Sequence, residues 1–202
     1  EGAKTYSKNI VVVDDGSDDN TMEVAKKHGV TVLRHLINLG KGAALKTGCD
    51  FAYGNGAENF IVMDSDGQHN QAEIPKFARE LEGVDIVFGC REFNKRMPLV
   101  LRAGNKVIRA MSSLLFSIRV RDTQSGFRAF TRKAYEKIRW ESMDYAVESE
   151  MIARTGKHRL RFKQLPIETI YGDGYKGTTV LDGIKIVLSM IKWRVSGNGR
   201  AR

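Results

Sequence analysis

Short apolar runs alternate with amphipathic stretches along the first half of the chain. The apolar runs are rich in β-branched residues without polar alternation, which is typical of strands covered on both faces of a parallel sheet. They lie at residues 9–13, 30–33, 59–63 and 85–89. The stretches with apolar residues at helical spacing lie at residues 21–28, 42–53 and 74–81. This order predicts βαβ units and an α/β fold, with a mostly parallel central sheet and helices on both faces.

Longer amphipathic stretches dominate the second half. Helices are predicted at residues 99–118, 132–138, 146–155 and 180–195, and a strand at residues 160–171. The pattern assigns no element to residues 125–131. No repeat or linker interrupts the chain, so we expect one domain over residues 1–195, with halves at 9–90 and 91–195, and a flexible tail over 196–202.

The charge of the chain is divided unevenly between these halves. Residues 1–90 carry nine Lys and Arg against 14 Asp and Glu, whereas residues 91–202 carry 24 against ten. The basic second half therefore faces nucleic acid, a membrane surface or a phosphorylated substrate, unless it is only a solvated basic face. The two cysteines fit no metal or redox spacing, and no apolar run approaches the ~20 residues of a membrane span. A reduced, cytoplasmic setting is the default.

Two clusters of carboxylates follow predicted strands at equivalent places. Asp14 and Asp15 end the first strand, and Asp64 and Asp66 end the third. Ligands of open parallel sheets bind beyond the carboxyl ends of the strands, so both clusters are expected to face one crevice. Turn and cap chemistry accounts for the residues after Asp15, but it does not require Asp14. Asp-x-Asp after an apolar strand is also a candidate site for a hard cation such as Mg²⁺ or Mn²⁺.

Five motifs, in this order, resemble the family-2 inverting glycosyltransferases of the GT-A fold. They are VVVDDGSDDNT, NLGKGAALKTG, VMDSDGQH with EIP following, GCR and DTQSGFRAF. The similarity covers roughly residues 9–172. Within that family the chain is similar to the dolichyl-phosphate mannose synthase-like branch. The resemblance implies a GT-A fold and transfer, with inversion, of a sugar from a GDP- or UDP-sugar to a polyprenyl (dolichyl) phosphate.

The resemblance also implies a role for each matching residue. The implied donor-binding residues are Asp14, Asp15, Lys41, Asp64, Asp66 and Arg91. The implied ligands of the Mg²⁺ or Mn²⁺ ion are Asp64, Asp66 and Gln68. Asp122 matches the catalytic acid on the acceptor side, and Arg128 and Lys176 are candidates for binding its phosphate. The donor is thus expected in the acidic half and the acceptor in the basic half.

The chain departs from the family pattern in three places. Cys90 replaces the usual serine before Arg91. Near the C-terminus, where related synthases carry an arginine and a Ser-Lys pair, this chain has GDGYKGTT, so Lys176, Thr178 and Thr179 are the candidate replacements. Family members also open with a strand followed by P-x-Y-N-E, which this sequence lacks. We therefore expect a sheet without its first strand, because the chain is a fragment or because something else completes the sheet.

The excess of basic residues in the second half predicts an anionic partner. The basic region over residues 91–121 and the basic amphipathic helix over 180–195 indicate an anionic membrane surface, with the protein peripheral on the cytoplasmic face. The alternative is that their apolar sides pack on the sheet. Nucleic acid is not expected, because no recognised binding motif accompanies the charge. A glycosyltransferase with a soluble glycan or protein acceptor, or a non-catalytic nucleotide-sugar-binding domain, remains the alternative function.

Overall fold

The computed structural model describes residues 1–91, 99–168 and 180–196. In the first half the strands are β1 (Val11–Asp14), β2 (Thr31–Arg34), β3 (Asn59–Val62) and β4 (Ile86–Arg91). The helices between them are α1 (Thr21–Lys27), α2 (Lys41–Gly54) and α3 (Ile74–Leu81), and short 3₁₀ turns lie at Gly2–Thr5 and Gln71–Glu73. Every element predicted for this half is confirmed, with ends displaced by no more than one or two residues.

The second half is mostly helical, as its amphipathic pattern predicts. Its helices are α4 (Leu99–Phe116), α5 (Arg132–Ile138), α6 (Val147–Lys157) and α7 (Val180–Ser196). Its strands are β5 (Arg128–Thr131) and β6 (Phe162–Ile167). The strand predicted for residues 160–171 is therefore shorter where it is described, and residues 169–171 lie outside the described part. Strand β5 is an element that the hydrophobic pattern did not reveal.

The strands form two sheets. Strands β1 and β2 pair in parallel, with Val11 opposite Thr31. The other sheet has the order β3-β5-β4-β6. Here β4 and β6 are parallel, whereas β5 runs antiparallel to both of its neighbours. The expected α/β class with parallel strand pairs is confirmed, and within the described ranges no hydrogen-bonded ladder joins the two sheets.

The larger sheet separates two apolar clusters. Neighbouring residues on β4 point to opposite faces, so Ile86 belongs to one cluster and Val87 to the other, and both are fully buried. The larger cluster packs the sheet against α4, α5, α6 and α7 and includes the buried Trp140. The smaller cluster packs it against α3, where Phe77 stacks on Phe127 with ring centroids 4.2 Å apart. Burial on both faces explains why β4 is a continuous apolar run in the sequence.

Candidate active site

The carboxylate clusters lie just beyond two strands, as the sequence predicts. Strand β1 ends at Asp14, and Asp64 follows two residues after the end of β3. Strand β4 ends at Arg91. These three strand ends supply the acidic and basic side chains of the site.

Asp14 is buried and carries one unsatisfied oxygen. Its Oδ1 accepts a hydrogen bond from the backbone N–H of Ser17 at 2.9 Å, and Oδ2 lies 3.5 Å from Nε of Arg34. The hydrogen bonds from Ser17, with the nearby Arg34 charge, hold the pKa of Asp14 below its usual value despite burial. Among the described residues Oδ2 has no hydrogen-bond donor. Because a buried acceptor without a partner is costly, Asp14 is suited to receive a hydrogen bond from a ligand.

Asp15 has a different environment from its neighbour. Its Oδ1 lies 2.6 Å from Nδ1 of His35 and accepts from the backbone N–H of Leu39 at 3.0 Å. Its Oδ2 accepts from the backbone N–H of Gly40 at 2.8 Å. Both carboxylate oxygens are thus used to fix the loop that leads into α2. The predicted donor contact of Asp15 stays a prediction, but the geometry favours an indirect role through the placement of Lys41.

Lys41 joins three parts of the chain at the start of α2. Its Nζ lies 2.8 Å from Oδ1 and 2.9 Å from Oδ2 of Asp64, and 2.7 Å from Oε1 of Glu148 on α6. Burial alone would lower the pKa of Lys41, but the carboxylates of Glu148 and Asp64 outweigh it and raise that pKa above its usual value. Lys41 is therefore a permanent cation held between two carboxylates.

The position of Lys41 depends on close backbone packing around it. Gly40 adopts φ 98°, in the left-handed region that favours glycine, and a Cβ there would collide with the carbonyl oxygen of Met143. The backbone N–H of Ala43 donates to that same oxygen at 3.2 Å. The indole Nε1 of Trp140 donates to the carbonyl of Gly42 at 2.8 Å. The GKG motif is thus docked on the segment between α5 and α6.

Asp64 is fixed from its backbone as well as through its side chain. Its N–H donates to Nδ1 of His69 at 3.1 Å, so that nitrogen is an acceptor and the ring proton is assigned to Nε2. Burial lowers the pKa of His69 and keeps the ring neutral at neutral pH. The His69 side chain is 4% exposed, and its ring packs on Phe127. A Cβ on Gly126 would collide with the Asp64 carboxylate, which explains glycine there.

Asp66 and Gln68 lie at the exposed end of the same segment. Oδ1 of Asp66 accepts from the backbone N–H of Gln68 at 3.0 Å, so the pair closes a turn around Gly67. Within the part of the chain that the structure describes, no three His, Cys, Asp or Glu side chains are grouped to hold a metal ion. These residues fit Mg²⁺ or Mn²⁺ only if one or two carboxylates bind the ion and substrate phosphates complete its coordination sphere. Asp66 is the accessible carboxylate for that purpose, because Asp64 is occupied by Lys41.

Two residues expected on opposite sides of the site form an ion pair. Arg91 donates from Nε to Oδ2 of Asp122 at 2.7 Å and from Nη2 to Oδ1 at 3.0 Å. Its backbone N–H also donates to Oδ2 at 3.2 Å. Asp122 further accepts from the N–H of Gln124 at 3.1 Å and is 1% exposed. The residue predicted for the donor side and the residue predicted for the acceptor side are therefore in direct contact.

Arg128 is buried under the site rather than exposed in it. Its guanidinium donates to the backbone carbonyls of Ser125, Glu148 and Thr123 at 3.1, 2.7 and 3.3 Å. Burial lowers the pKa of Arg128 to about 10, so the group remains charged at neutral pH. These contacts favour a role in positioning the loop after Asp122 and the start of α6. Binding of an acceptor phosphate by Arg128, as the sequence suggested, stays a prediction, and Lys176, Thr178 and Thr179 lie outside the described residues.

Sequence reasoning missed the contribution of α6 and α4. Glu148 was read only as part of a helix, yet it is a buried partner of Lys41. Asn105 on α4 accepts from both the N–H and Oγ1 of Thr123, at 3.0 and 2.6 Å, and so fixes the residue after Asp122. The available signal for Glu148 was its place on a helix that is otherwise buried, because a charged side chain that is buried there requires a partner of opposite charge. The sequence offered no equivalent signal for Asn105.

The sequence matches a known protein family and several of its members. Residues 3–139 match the family described as glycosyl transferase family 2, and the chain belongs to that family. An uncharacterized protein of Methanocaldococcus jannaschii is 42% identical over 198 residues, which cover 93% of this chain and 82% of that protein. The UDP-N-acetylglucosamine–dolichyl-phosphate N-acetylglucosaminyltransferase of Methanococcus voltae is 32% identical over 212 residues, covering 91% and 84%. The protein is therefore a glycosyltransferase.

Solved structures confirm the expected GT-A fold. Glucosyl-3-phosphoglycerate synthase from Mycobacterium tuberculosis, in complex with phosphoglyceric acid, matches with a TM-score of 0.68 at 20% identity. The match covers 96% of this chain and 70% of that one. The same enzyme, solved with Mn²⁺, uridine diphosphate and phosphoglyceric acid, also matches with a TM-score of 0.68, at 18% identity. At this level of identity the likeness concerns the fold.

Proposed function

We propose that this glycosyltransferase moves a sugar from a nucleotide-sugar donor to a polyprenyl phosphate, with inversion and with the help of Mg²⁺ or Mn²⁺. The likeness to the Methanococcus voltae transferase, whose name specifies a UDP-sugar and dolichyl phosphate, supports both substrates. The donor remains a UDP- or GDP-sugar, and mannose is one candidate among the transferred hexoses and N-acetylhexosamines.

On the donor side, Asp14 and Asp66 are the proposed contacts. The unsatisfied Oδ2 of Asp14 would accept a hydrogen bond from the base or ribose. Asp66, with Asp64 once that carboxylate is released, would hold the divalent ion together with the donor phosphates. Such an ion neutralises charge that develops on the nucleoside diphosphate as it leaves. Arg91, at the end of β4, would orient the phosphates from the other side.

On the acceptor side, the attacking group is itself a phosphate. A monophosphate ester has its second pKa near ~6 and is mostly ionised at neutral pH, so a strong general base is not required. Asp122 is already engaged with Arg91, which agrees with a reaction in which it orients charged groups rather than removing a proton. We retain Asp122 as the acceptor-side residue and assign its action to the placement of Arg91 and of the loop fixed by Asn105.

The observation that supports a lipid acceptor is an exposed apolar stripe on helix α7, which packs against α4. Helix α7 buries Ile186 and Met190 in the core and leaves other apolar side chains in solvent. These are Leu181, Ile184, Leu188, Ile191 and Val195, which recur at spacings of three and four and are between 44% and 70% exposed. Val107 and Leu114, one heptad apart on the neighbouring helix α4, are exposed as well. Exposed apolar stripes of this size mark interaction surfaces.

Basic residues beside the stripe support an anionic membrane as its partner. Lys185, Lys192 and Arg194 are exposed on α7. A helix with an apolar stripe and flanking lysines and arginines is suited to lie in the headgroup region of a bilayer. No helix in the described ranges is long and apolar enough to span one. We propose that the protein binds peripherally to the cytoplasmic face, where it would meet a polyprenyl phosphate.

A transfer assay tests this function. The purified chain is incubated with labelled UDP-N-acetylglucosamine, UDP-glucose or GDP-mannose, Mn²⁺ and a short polyprenyl phosphate, and the lipid product is isolated. We expect a phosphodiester-linked sugar whose anomeric configuration, read by NMR, is opposite to that of the donor, and we expect Asp66→Asn to reduce its formation. Transfer only to a soluble acceptor would contradict the lipid assignment. Absence of both donor hydrolysis and transfer would contradict catalysis.

A further inference from the structure

Lys41 occupies Asp64, one of the two carboxylates proposed to hold the metal ion. Its ammonium lies within hydrogen-bonding distance of both oxygens of Asp64, at 2.8 and 2.9 Å. A divalent cation and this ammonium cannot share the same face of one carboxylate without strong repulsion. The geometry points to Lys41 as an exchangeable internal cation, which neutralises Asp64 in the donor-free protein and moves to the donor diphosphate when the metal–nucleotide complex binds. This inference rests on the proposed function.

Glu148 is the fixed anchor for this exchange. Its side chain is 5% exposed, compared with 26% for Asp64, so Glu148 is the more deeply buried of the two partners of Lys41. The backbone carbonyl of Glu148 accepts from Nη1 of Arg128 at 2.7 Å, which holds this turn of α6 in place. Lys41 can therefore leave Asp64 while it keeps one carboxylate, and the buried Glu148 is never left without a counterion. Glu148 is in this sense a positioning residue for Lys41.

The exchange explains why metal and nucleotide should bind together. Without a nucleotide, a metal ion at Asp64 would displace Lys41 with no new anion to receive it. With a diphosphate present, the lysine gains a phosphate partner and Asp64 becomes available. Lys41 would thus make metal affinity depend on the nucleotide, in addition to the ligands that the phosphates themselves supply.

The test is direct measurement of Mn²⁺ binding, without turnover. Free Mn²⁺ is titrated by electron paramagnetic resonance into the full chain, with and without UDP or GDP. The Lys41→Met variant is compared with Lys46→Met. Lys46 lies on the same helix, so its substitution is the matched control. Removing the positive charge next to Asp64 should tighten Mn²⁺ binding roughly tenfold or more without nucleotide. The same substitution should also reduce the increase in Mn²⁺ affinity that UDP or GDP produces. The Lys46→Met variant should have the wild-type Mn²⁺ affinity with and without the nucleotide.

Loss of folding is separated from loss of exchange by a second variant. Lys41→Met alone leaves Glu148 buried without a counterion, so the double variant Lys41→Met/Glu148→Gln is included, with circular dichroism as the check of folding. The double variant should melt at a higher temperature than Lys41→Met and keep the gain in Mn²⁺ affinity. Equal Mn²⁺ affinity of the wild type and a folded Lys41 variant would overturn the inference while leaving the proposed function intact. Absence of metal–nucleotide binding by the wild type would instead contradict both.

Discussion

The ion pair between Arg91 and Asp122 should contribute measurably to both stability and donor binding. The Asp122 side chain is fully buried and that of Arg91 is 12% exposed, and two hydrogen bonds of 2.7 and 3.0 Å join them. Removing one partner of a buried pair costs about 3–5 kcal/mol, because the other charge is left buried without compensation. Arg91 retains some contact with water, so we expect about 3 kcal/mol for Asp122→Asn, the lower end of that range.

The assay is a double-mutant cycle in urea with Asp122→Asn, Arg91→Met and both together. With a slope of about 2 kcal/mol per molar, a loss of this size lowers the urea midpoint by roughly 1.5 M. The double variant should be more stable than the sum of the single losses by about 2 kcal/mol, because it leaves no unpaired charge. A coupling below about 0.5 kcal/mol would refute the reasoning.

The cycle also separates the two roles that the sequence assigned to these residues. If Arg91 orients the donor phosphates, each folded single variant should bind UDP or GDP more weakly, since Asp122 fixes the guanidinium. A folded Asp122→Asn variant with unchanged nucleotide affinity would show that Asp122 serves the acceptor alone.

Two further predictions concern a buried histidine and the membrane surface. Burial lowers the pKa of His69 below 6.5, so the folded protein favours the neutral ring. The contribution of the neutral ring to the free energy of unfolding is therefore complete above pH 6.5 and is lost as the pH falls through the folded-state pKa. The urea midpoint should therefore fall between pH 7.5 and 5.5 less steeply in His69→Gln than in the wild type or the control His28→Gln; equal slopes would contradict this. Reversing Lys185 and Lys192 to Glu should weaken sedimentation with phosphatidylglycerol vesicles at least tenfold, since each basic residue contributes about 1 kcal/mol. Lys26→Glu on α1 should have little effect, and equal losses in both variants would refute a specific surface.

The order of secondary structure could be predicted because burial leaves a periodic trace in the sequence. Helix α3, for example, occupies the predicted residues, since its buried Ile74, Phe77 and Leu81 lie at helical spacing. Strand β5 was missed because it is only four residues long and is buried along most of its length. A short run of that kind shows neither alternation nor helical period. Its antiparallel place between β3 and β4 depends on pairing over a long distance in the chain, which no local pattern encodes.

The site was predictable in its residues but not in its pairings. Strand-end carboxylates could be identified from the apolar strands that precede them, and the GKG lysine from a motif that resembles the family's. Their partners could not, because Lys41 meets Glu148, and Arg91 meets Asp122, only after distant segments pack together. The same limit applies to Arg128, for which the resemblance implied a phosphate contact and whose burial only the packing reveals. Sequence thus identifies which groups carry chemistry, while packing decides which of them are free to use it.

The pairings also give the charge asymmetry of the chain a physical meaning. Three carboxylates of the described site have a cationic neighbour: Asp14 has Arg34, Asp64 has Lys41, and Asp122 has Arg91. A nucleotide-sugar diphosphate with its divalent ion is itself nearly neutral, so a site whose carboxylates are largely paired can admit it without a large excess of fixed positive charge. The acidic balance of residues 1–90 is therefore no obstacle to binding the donor. We infer that the positive excess of residues 91–202 serves the acceptor side, where the lipid phosphate and the anionic membrane are proposed to lie.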